Sequence, residues 1–338
     1  MKMNWITLLP ILFCPPEYTV ERHFNPPDMV VNALLPSGFV ARDSERQTFR
    51  VSTNSESDQV IEGTQLSTRL ENGIAVFKSK NGHLVVSNGP RTVRVQFPTY
   101  ENFSVTSDWH GLYVEPGDGK ETKIYKQNLL EPSSKAELVA KVRPGATRFL
   151  YGSTSNNFGI VIQYDETAVL YVYQNGSGRY VKMYQNQTIF LPMAIFPSGD
   201  IGGSLAQSNR DDPNFATFDT DLVSGRRGSV GSPWYIPTDP CILKNGSNYA
   251  EVIYSINGQE DAYNFSPVLM QLPNGYLVKH GSEYPESLWI VTKEDAKMIW
   301  TNADRDAQNE CSLRAFDCVN NRILITFRNR FEIWSFNK

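Results

Sequence analysis

Val169-Leu170-Tyr171-Val172-Tyr173, then Asn175-Gly176-Ser177-Gly178, then Tyr180 through Tyr184 follow one another in a single stretch. Two apolar, aromatic runs flank an Asn-Gly pair, and Asn-Gly supplies the positive φ angles that a tight hairpin turn needs. The stretch reads as an up-down β-ribbon. The same reading recurs along the chain. Ile74–Phe77 and Leu84–Val86 flank Asn81-Gly82, with a second pair at Asn88-Gly89. Tyr254-Ser255-Ile256 precedes Asn257-Gly258, and Val268-Leu269-Met270 and Tyr276-Leu277-Val278 flank Asn274-Gly275. Ile323–Phe327 and Phe331–Phe336 flank Arg328-Asn329-Arg330. Ribbons without helical crossovers make antiparallel sheets, so the class is all-β. Two short segments carry helix signals. Ser134–Ala140 follows a cap-like Ser133, and Thr292–Met298 has Asp295 three residues after a Thr. Each predicts one or two helical turns.

Working outward, seven apolar runs start at Ile74, Leu112, Ile160, Met193, Val252, Leu288 and Ile323, in steps of 38, 48, 33, 59, 36 and 35 residues. A recurrence near 40 residues with a hairpin in each period predicts a radial β-repeat, a β-propeller of six or seven blades. Two-sheet β-sandwich or barrel domains are the competing architecture. Sandwich strands alternate cleanly between core and solvent, whereas Ile160-Val161-Ile162 and Ile323-Leu324-Ile325 are continuous apolar runs. Such strands are buried on both faces, as inner propeller strands are. A strand at the C-terminus, with Trp334 and Phe336, is placed to help close the ring.

The 338 residues are 40% hydrophobic and 20% charged, which is a globular composition with room for a large core. The net charge of −4 comes with no long basic stripe, so nucleic acid is not an expected partner. Arg226-Arg227 and Arg328-Asn329-Arg330 read as solvated turns. Four cysteines are too sparse for a disulfide scaffold. Cys311 and Cys318 are spaced either to pair across a hairpin or to stand as free thiols. The four His are scattered and no C-x-x-C occurs, so no metal and no cofactor are expected. Five N-x-[ST] sequons, at Asn102, Asn175, Asn186, Asn245 and Asn264, barely exceed what this composition gives by chance.

At the N-terminus, Lys2 precedes the apolar stretch Trp5–Phe13, which Pro10 interrupts. The stretch is too short to span a bilayer. Phe13-Cys14-Pro15 is no small-residue cleavage site, which argues against a signal peptide. Pro15-Pro16 and Asn25-Pro26-Pro27 continue in extended, polyproline-like chain. Residues 1–36 are therefore expected to form a docking arm for a neighbouring subunit, through Trp5, Ile6, Leu8, Leu9, Ile11, Leu12 and Phe13, with an uncleaved leader as the alternative. Residues 37–338 are expected to form the propeller, with a long Gly-, Ser-, Asp- and Asn-rich loop at about 198–240.

Candidate chemistry is thin. Asp211, Asp212 and Asp219, with Asp304 and Asp306, are the carboxylates from which a two-carboxylate glycoside hydrolase would draw its pair. Asp219-x-Asp221 offers oxygen ligands but lacks the Gly and terminal Glu of a calcium loop. Asp212-Pro213-Asn214 resembles the Asp-Pro-Asn of five-bladed propeller glycosidases that cleave fructose polymers. That resemblance implies an Asp nucleophile near the start of the first blade. Here the triplet lies mid-chain and the partner Arg-Asp-Pro does not occur, which puts that activity in doubt. Gly228-Ser229-Val230-Gly231-Ser232 only echoes a nucleophile elbow. Trp109, Tyr113, Trp234, Tyr235, Tyr284 and Trp289 lie in or beside turns, where aromatic faces stack on sugars.

Two functions follow as expectations. The first is a non-enzymatic structural or adhesion component of an oligomeric assembly, most concretely a virion or phage-tail protein. The second is a secreted, glycan-binding or glycan-hydrolysing propeller.

Overall fold

The computed structural model describes all residues except 1–17, 26–28, 37, 44–47, 54–58, 63, 66–72, 79–82, 96–102, 117–118, 132, 165–166, 186–187, 208–237, 255–266, 282–285, 293, 304–310 and 338. Strand β1 (Tyr18–Phe24) comes first in the chain but belongs to the last sheet. Blade 1 is β2 to β5 (Met29–Leu35, Gly38–Asp43, Thr48–Thr53, Gln59–Glu62). Blade 2 is β6 to β9 (Thr64–Gln65, Ala75–Lys78, Leu84–Ser87, Thr92–Val95). Blade 3 is β10 to β13 (Phe103–Val105, His110–Pro116, Thr122–Asn128, Glu137–Val142), and blade 4 is β14 to β17 (Ala146–Phe149, Asn157–Tyr164, Thr167–Gln174, Ser177–Lys182). Blade 5 has a two-residue β18 (Tyr184–Gln185) beside β19 to β22 (Thr188–Ile195, Ile201–Gln207, Thr238–Leu243, Ala250–Val252). Blade 6 is β23 to β26 (Val268–Leu272, Gly275–His280, Ser287–Val291, Ala296–Thr301). Blade 7 is β27 to β29 (Ser312–Asp317, Arg322–Thr326, Arg330–Phe336) with β1 outermost.

Seven antiparallel sheets follow one another, so the higher of the two expected blade counts is the observed one. The turns that join the first strand to the second, and the third to the fourth, leave one end of the ring. We call this the turn face. The remaining connections leave from the opposite, connector face.

The deciding hairpin forms as its residues dictate. Gln174 pairs with Ser177 around a two-residue turn, with Asn175 at φ 48° and Gly176 at φ 89°. The apolar runs are continuous because alternate side chains enter different inter-blade layers. Ile160 and Ile162 pack toward blade 3, while Val161 packs toward blade 5. Ile323 and Ile325 join the blade 6 cluster, and Leu324 joins that of blade 1. Both runs are second strands of their blades (β15 and β28), which corrects the expectation that they are innermost. The core is a ring of such layers, each fully buried Leu, Ile or Phe contributing about 1.5–3 kcal/mol.

The expected arm is corrected from Tyr18 onward. Tyr18–Phe24 pairs residue for residue with Phe336–Arg330 of β29, and Met29–Leu35 is the inner strand of blade 1. The ring is therefore closed by its own N-terminal strand, which covers β29 and takes its place as the outer edge of blade 7. Tyr18 stacks on Trp334 (centroids 4.9 Å apart, planes at 10°) and His23 on Phe331 (5.0 Å, 15°). The earlier part of the arm lies outside the described residues. The expected loop shrinks as well, because Ile201–Gln207 and Thr238–Leu243 are paired strands. Both expected helical segments end in outer strands, β13 and β26. Thr292 does accept from Glu294 N and Asp295 N, but that turn closes a hairpin.

At the turn face, residues of blades 4, 5 and 7 meet. Tyr151 of blade 4 bridges to Ala194 of blade 5 and meets Phe316 of blade 7 edge-on (5.2 Å, 90°). Gly152, at φ 74°, makes room there. A Cβ at this position would overlap the Ile195 carbonyl and sit 2.7 Å from Cys318 Sγ. Cys311 and Cys318 are buried thiols at opposite ends of six-residue β27. A strand of that length separates their Cα atoms by roughly 20 Å, three times what a disulfide spans.

Candidate functional site

Three groups of polar or exposed side chains are built by the described strands. The first sits on the turn face between blades 3 and 4. In the turn from β10 to β11, the Asp108 carboxylate accepts from Thr106 Oγ1, from Ser155 Oγ (2.6 Å) and from Ser155 N (3.1 Å to Oδ2). His110 Nδ1 lies 3.0 Å from the Asp108 carbonyl oxygen and 3.7 Å from its carboxylate. Serine, aspartate and histidine thus meet, but with Asp in the middle. The Ser155 hydroxyl donates to the carboxylate and not to the imidazole, unlike the Ser–His–Asp order of a nucleophilic triad. The cluster instead fixes the turn against the next blade. It holds Trp109 at φ 61°, a conformation rare for a bulky residue, with its ring in the apolar cluster that includes Val76 and Leu129 and beneath Arg91.

Burial pushes the Asp108 carboxyl upward, but the hydrogen bonds from Ser155 and Thr106 and the nearby His110 outweigh it. The group sits below its ordinary value of 3.8. A depressed carboxyl stabilises the fold above its unfolded value, and the gain is lost as pH falls through the folded value. Asp108→Asn is therefore expected to cost about 1–2 kcal/mol near neutral pH, the partial exposure of the group reducing the usual charged-bond figure. Urea midpoints measured from pH 7 to pH 2.5 check this: the gap between wild type and variant should hold level, then close in acid. A gap that widens in acid would show that Asp108 is held protonated.

The second group joins blades 4, 5 and 6 on the same face. Asp200, buried, accepts from Lys244 Nζ (2.8 Å) and Asn245 N (2.9 Å), and Lys244 also reaches the Tyr276 hydroxyl (2.9 Å). Hydrogen bonds from Asp200 and Tyr276 hold the Lys244 ammonium above its ordinary value of 10.5. Asn157 and Gln174 of blade 4 donate to the Phe196 and Gly199 carbonyls of blade 5, and Arg179 donates to Ser247 O. The Asp200 bonds join the two turns of blade 5, while those of Lys244 to Tyr276 and of Asn157, Gln174 and Arg179 tie one blade to the next.

The third group is the perimeter of blade 5, where Tyr249, Val252 and Tyr254 are exposed on and beside β22, whereas Tyr180 of blade 4, also exposed, packs on Arg143 at the end of blade 3. Exposed aromatic and apolar side chains beside a strand edge are suited to contact with another surface. Among the described residues, Leu138 and Met298 stand singly on β13 and β26, and Val20 and Phe24 are exposed on β1.

Of the sequence candidates, Asp211, Asp212, Asp219, Asp304, Asp306, Trp234, Tyr235 and Tyr284 lie outside the described residues, as do Trp5–Phe13 of the arm. The strand ends that flank those aspartates and aromatics (Gln207 and Thr238, His280 and Ser287, Thr301 and Ser312) all sit at the connector face. Trp109 and Tyr113 are buried, Tyr113 against Tyr125 (5.4 Å, 17°), so neither offers an open ring face. Trp289 is half-buried, and its Nε1 donates to Ser287 Oγ (2.9 Å). Asp108, Ser155 and Lys244, which do form clusters, are not among the sequence candidates. The one signal for Asp108 is an Asp in a short polar turn between two apolar runs. Among the described residues no group of His, Cys, Asp and Glu is set to hold a metal ion, and no helix is long and apolar enough to cross a membrane. Cys241 is buried, and burial raises its thiol well above the ordinary range, which leaves it unreactive.

No family model matches the sequence and no curated protein matches it. Solved structures do. The β-propeller domain of the Trilobed protease from Pyrococcus furiosus is similar at 11% identity, TM-score 0.51, over 88% of this chain and 91% of that one. That domain is described as having an open velcro topology, whereas here β1 pairs with β29. Oligopeptidase B from Leishmania major is similar at 10% identity, TM-score 0.50, over 90% of this chain and 46% of that one. This chain thus spans about half the length of that peptidase. Identities this low are a likeness of fold. The chain is a seven-bladed β-propeller closed by its own first strand.

Proposed function

We propose that this propeller is a non-enzymatic structural or adhesion component of a multi-subunit assembly, most concretely a virion or phage-tail protein, joined to its neighbour through the apolar segment Trp5–Phe13. The observation that carries the reading is the position of Tyr18. It starts the outermost strand of the closing blade, so the apolar segment is covalently attached at the perimeter of the ring, where a neighbouring subunit is in reach. The segment is rich in large side chains whose burial against a partner is favourable. A propeller supplies a rigid ring for such an arm and has no chemistry of its own.

The test is the native mass of the full-length chain beside one lacking residues 1–16. The cut must stop before Tyr18, because a longer deletion removes β1. A discrete oligomer that becomes a folded monomer on truncation is the expected result. Equal masses for the two chains would overturn the reading.

A further inference from the structure

We infer that the apolar segment of one copy pairs with the outer edge of blade 5 in a second copy, as an added strand beside β22. The inference rests on the assembly reading above and names the surface that accepts the arm.

β22 is three residues long, against six for β21 beside it. Val252 pairs with Cys241, and Ile253 N donates inward to Pro240 O (3.0 Å). By the alternation of an antiparallel edge, the backbone groups of Val252 and Tyr254 face outward. Their side chains are 44% and 37% exposed, and Tyr249, just before the strand, is 63% exposed. Among the described residues no strand pairs with this edge, and an edge flanked by apolar side chains is a template for a strand from another chain.

The segment Trp5–Phe13 fits that edge. Its nine residues match a strand, and Pro10 confines it to a position paired on one side only, as a terminal added strand is. Lys2 is the one charged residue of Met1–Phe13, and Glu251 is the one charged residue of Tyr249–Tyr254, opposite in sign. The donor is a second copy because of reach. From Phe13 to Tyr18 the chain spans about 17 Å at most, at ~3.4 Å per residue. Blade 5 lies two blades from blade 7, at least about 20 Å away, since packed sheets are ~10 Å apart. Arm into edge is a head-to-tail contact, which propagates into a closed ring or a filament.

The experiment uses three full-fold chains: wild type, the chain lacking residues 1–16, and the double substitution Val252→Lys/Tyr254→Lys, with masses read by light scattering. Wild type should be oligomeric and each altered chain monomeric. An equimolar mixture of the two altered chains should give a species of twice the monomer mass, because one retains the arm and the other the edge. A lysine variant that stays oligomeric while the truncated chain is monomeric would overturn the blade 5 edge as acceptor and leave arm-mediated assembly standing. A mixture that stays monomeric would also overturn it. A truncated chain that stays oligomeric would remove the assembly reading and this inference together. If the lysines lower the unfolding midpoint, Tyr249→Ser/Tyr254→Ser repeats the comparison without added charge.

Discussion

Deleting residues 1–25 is expected to destabilise the propeller by about 5 kcal/mol or more, while deleting residues 1–16 leaves its unfolding midpoint nearly unchanged. The difference between the two cuts is β1. Without it, β29 becomes an edge strand over its whole length, because all seven of its residues pair with Tyr18–Phe24. The stacks of Tyr18 on Trp334 and of His23 on Phe331 are lost as well. Aromatic pairs contribute about 0.5–1.5 kcal/mol each beyond burial, and uncovering large apolar side chains costs roughly 1.5–3 kcal/mol apiece. The Arg22–Glu332 contact adds little, since the arginine is exposed. Urea unfolding of both truncated chains measures the gap. Equal midpoints would mean that the ring needs no clasp. The longer deletion is also expected to aggregate, because an uncovered edge carrying Phe331, Ile333 and Trp334 is a pairing surface.

This clasp is the part of the fold that sequence reading passes over, for physical reasons. A hairpin is legible when both strands and the turn are neighbours, as in Val169–Met183, where the Asn-Gly pair sets the register. β1 has its partner about three hundred residues away, and its residues Thr19-Val20-Glu21-Arg22 suit a solvent-facing edge, so no local pattern marks it. Blade 1 is hidden differently. Its inner strand carries a bulge between Val31 and Ala33, which breaks the period-two pattern, and the prolines ahead of it suggest extended chain. Outer strands mislead in the other direction. Lys135–Ala140 has helix-forming residues because an outer strand exposes most of its side chains and asks little of them. The seven apolar runs do match the number of blades, yet Met193 and Val252 both fall in blade 5 and blade 1 contributes none. The recurrence reports strand density, and strands of different rank in different blades supply it.

The polar clusters are less legible still, because their partners lie in separate turns far apart in sequence. Asp108 meets Ser155 across 47 residues, and Asp200 meets Lys244 across 44. A single sequence carries no mark of either pairing. One charge does stand out along the chain: Lys279 follows Leu277-Val278 and precedes His280 at the buried end of its strand.

That lysine gives the second large expectation. Lys279 Nζ lies 2.8 Å from Glu286 Oε1, with the side chains only 2% and 4% exposed. Glu286 Oε2 accepts from Leu313 N of blade 7 (3.0 Å), and Asn302 accepts from Glu286 N (2.7 Å). The pair therefore stitches blade 6 to the inner strand of blade 7 at the connector face. Desolvating two charges is costly, and the pair repays that cost only while both partners are present. Lys279→Met strands a buried carboxylate and is expected to cost about 3–5 kcal/mol. Glu286→Leu strands the ammonium and also leaves Leu313 N without its acceptor, an added cost of about 1–3 kcal/mol. The double substitution removes both charges, so it should be far less destabilising than the two single costs combined. A double-mutant cycle from urea midpoints reads the coupling directly. Strong coupling, with the double variant no worse than Glu286→Leu alone, is the expected outcome. Additive costs would mean that each charge is satisfied by other neighbours, and that the join between blades 6 and 7 rests on its apolar layer.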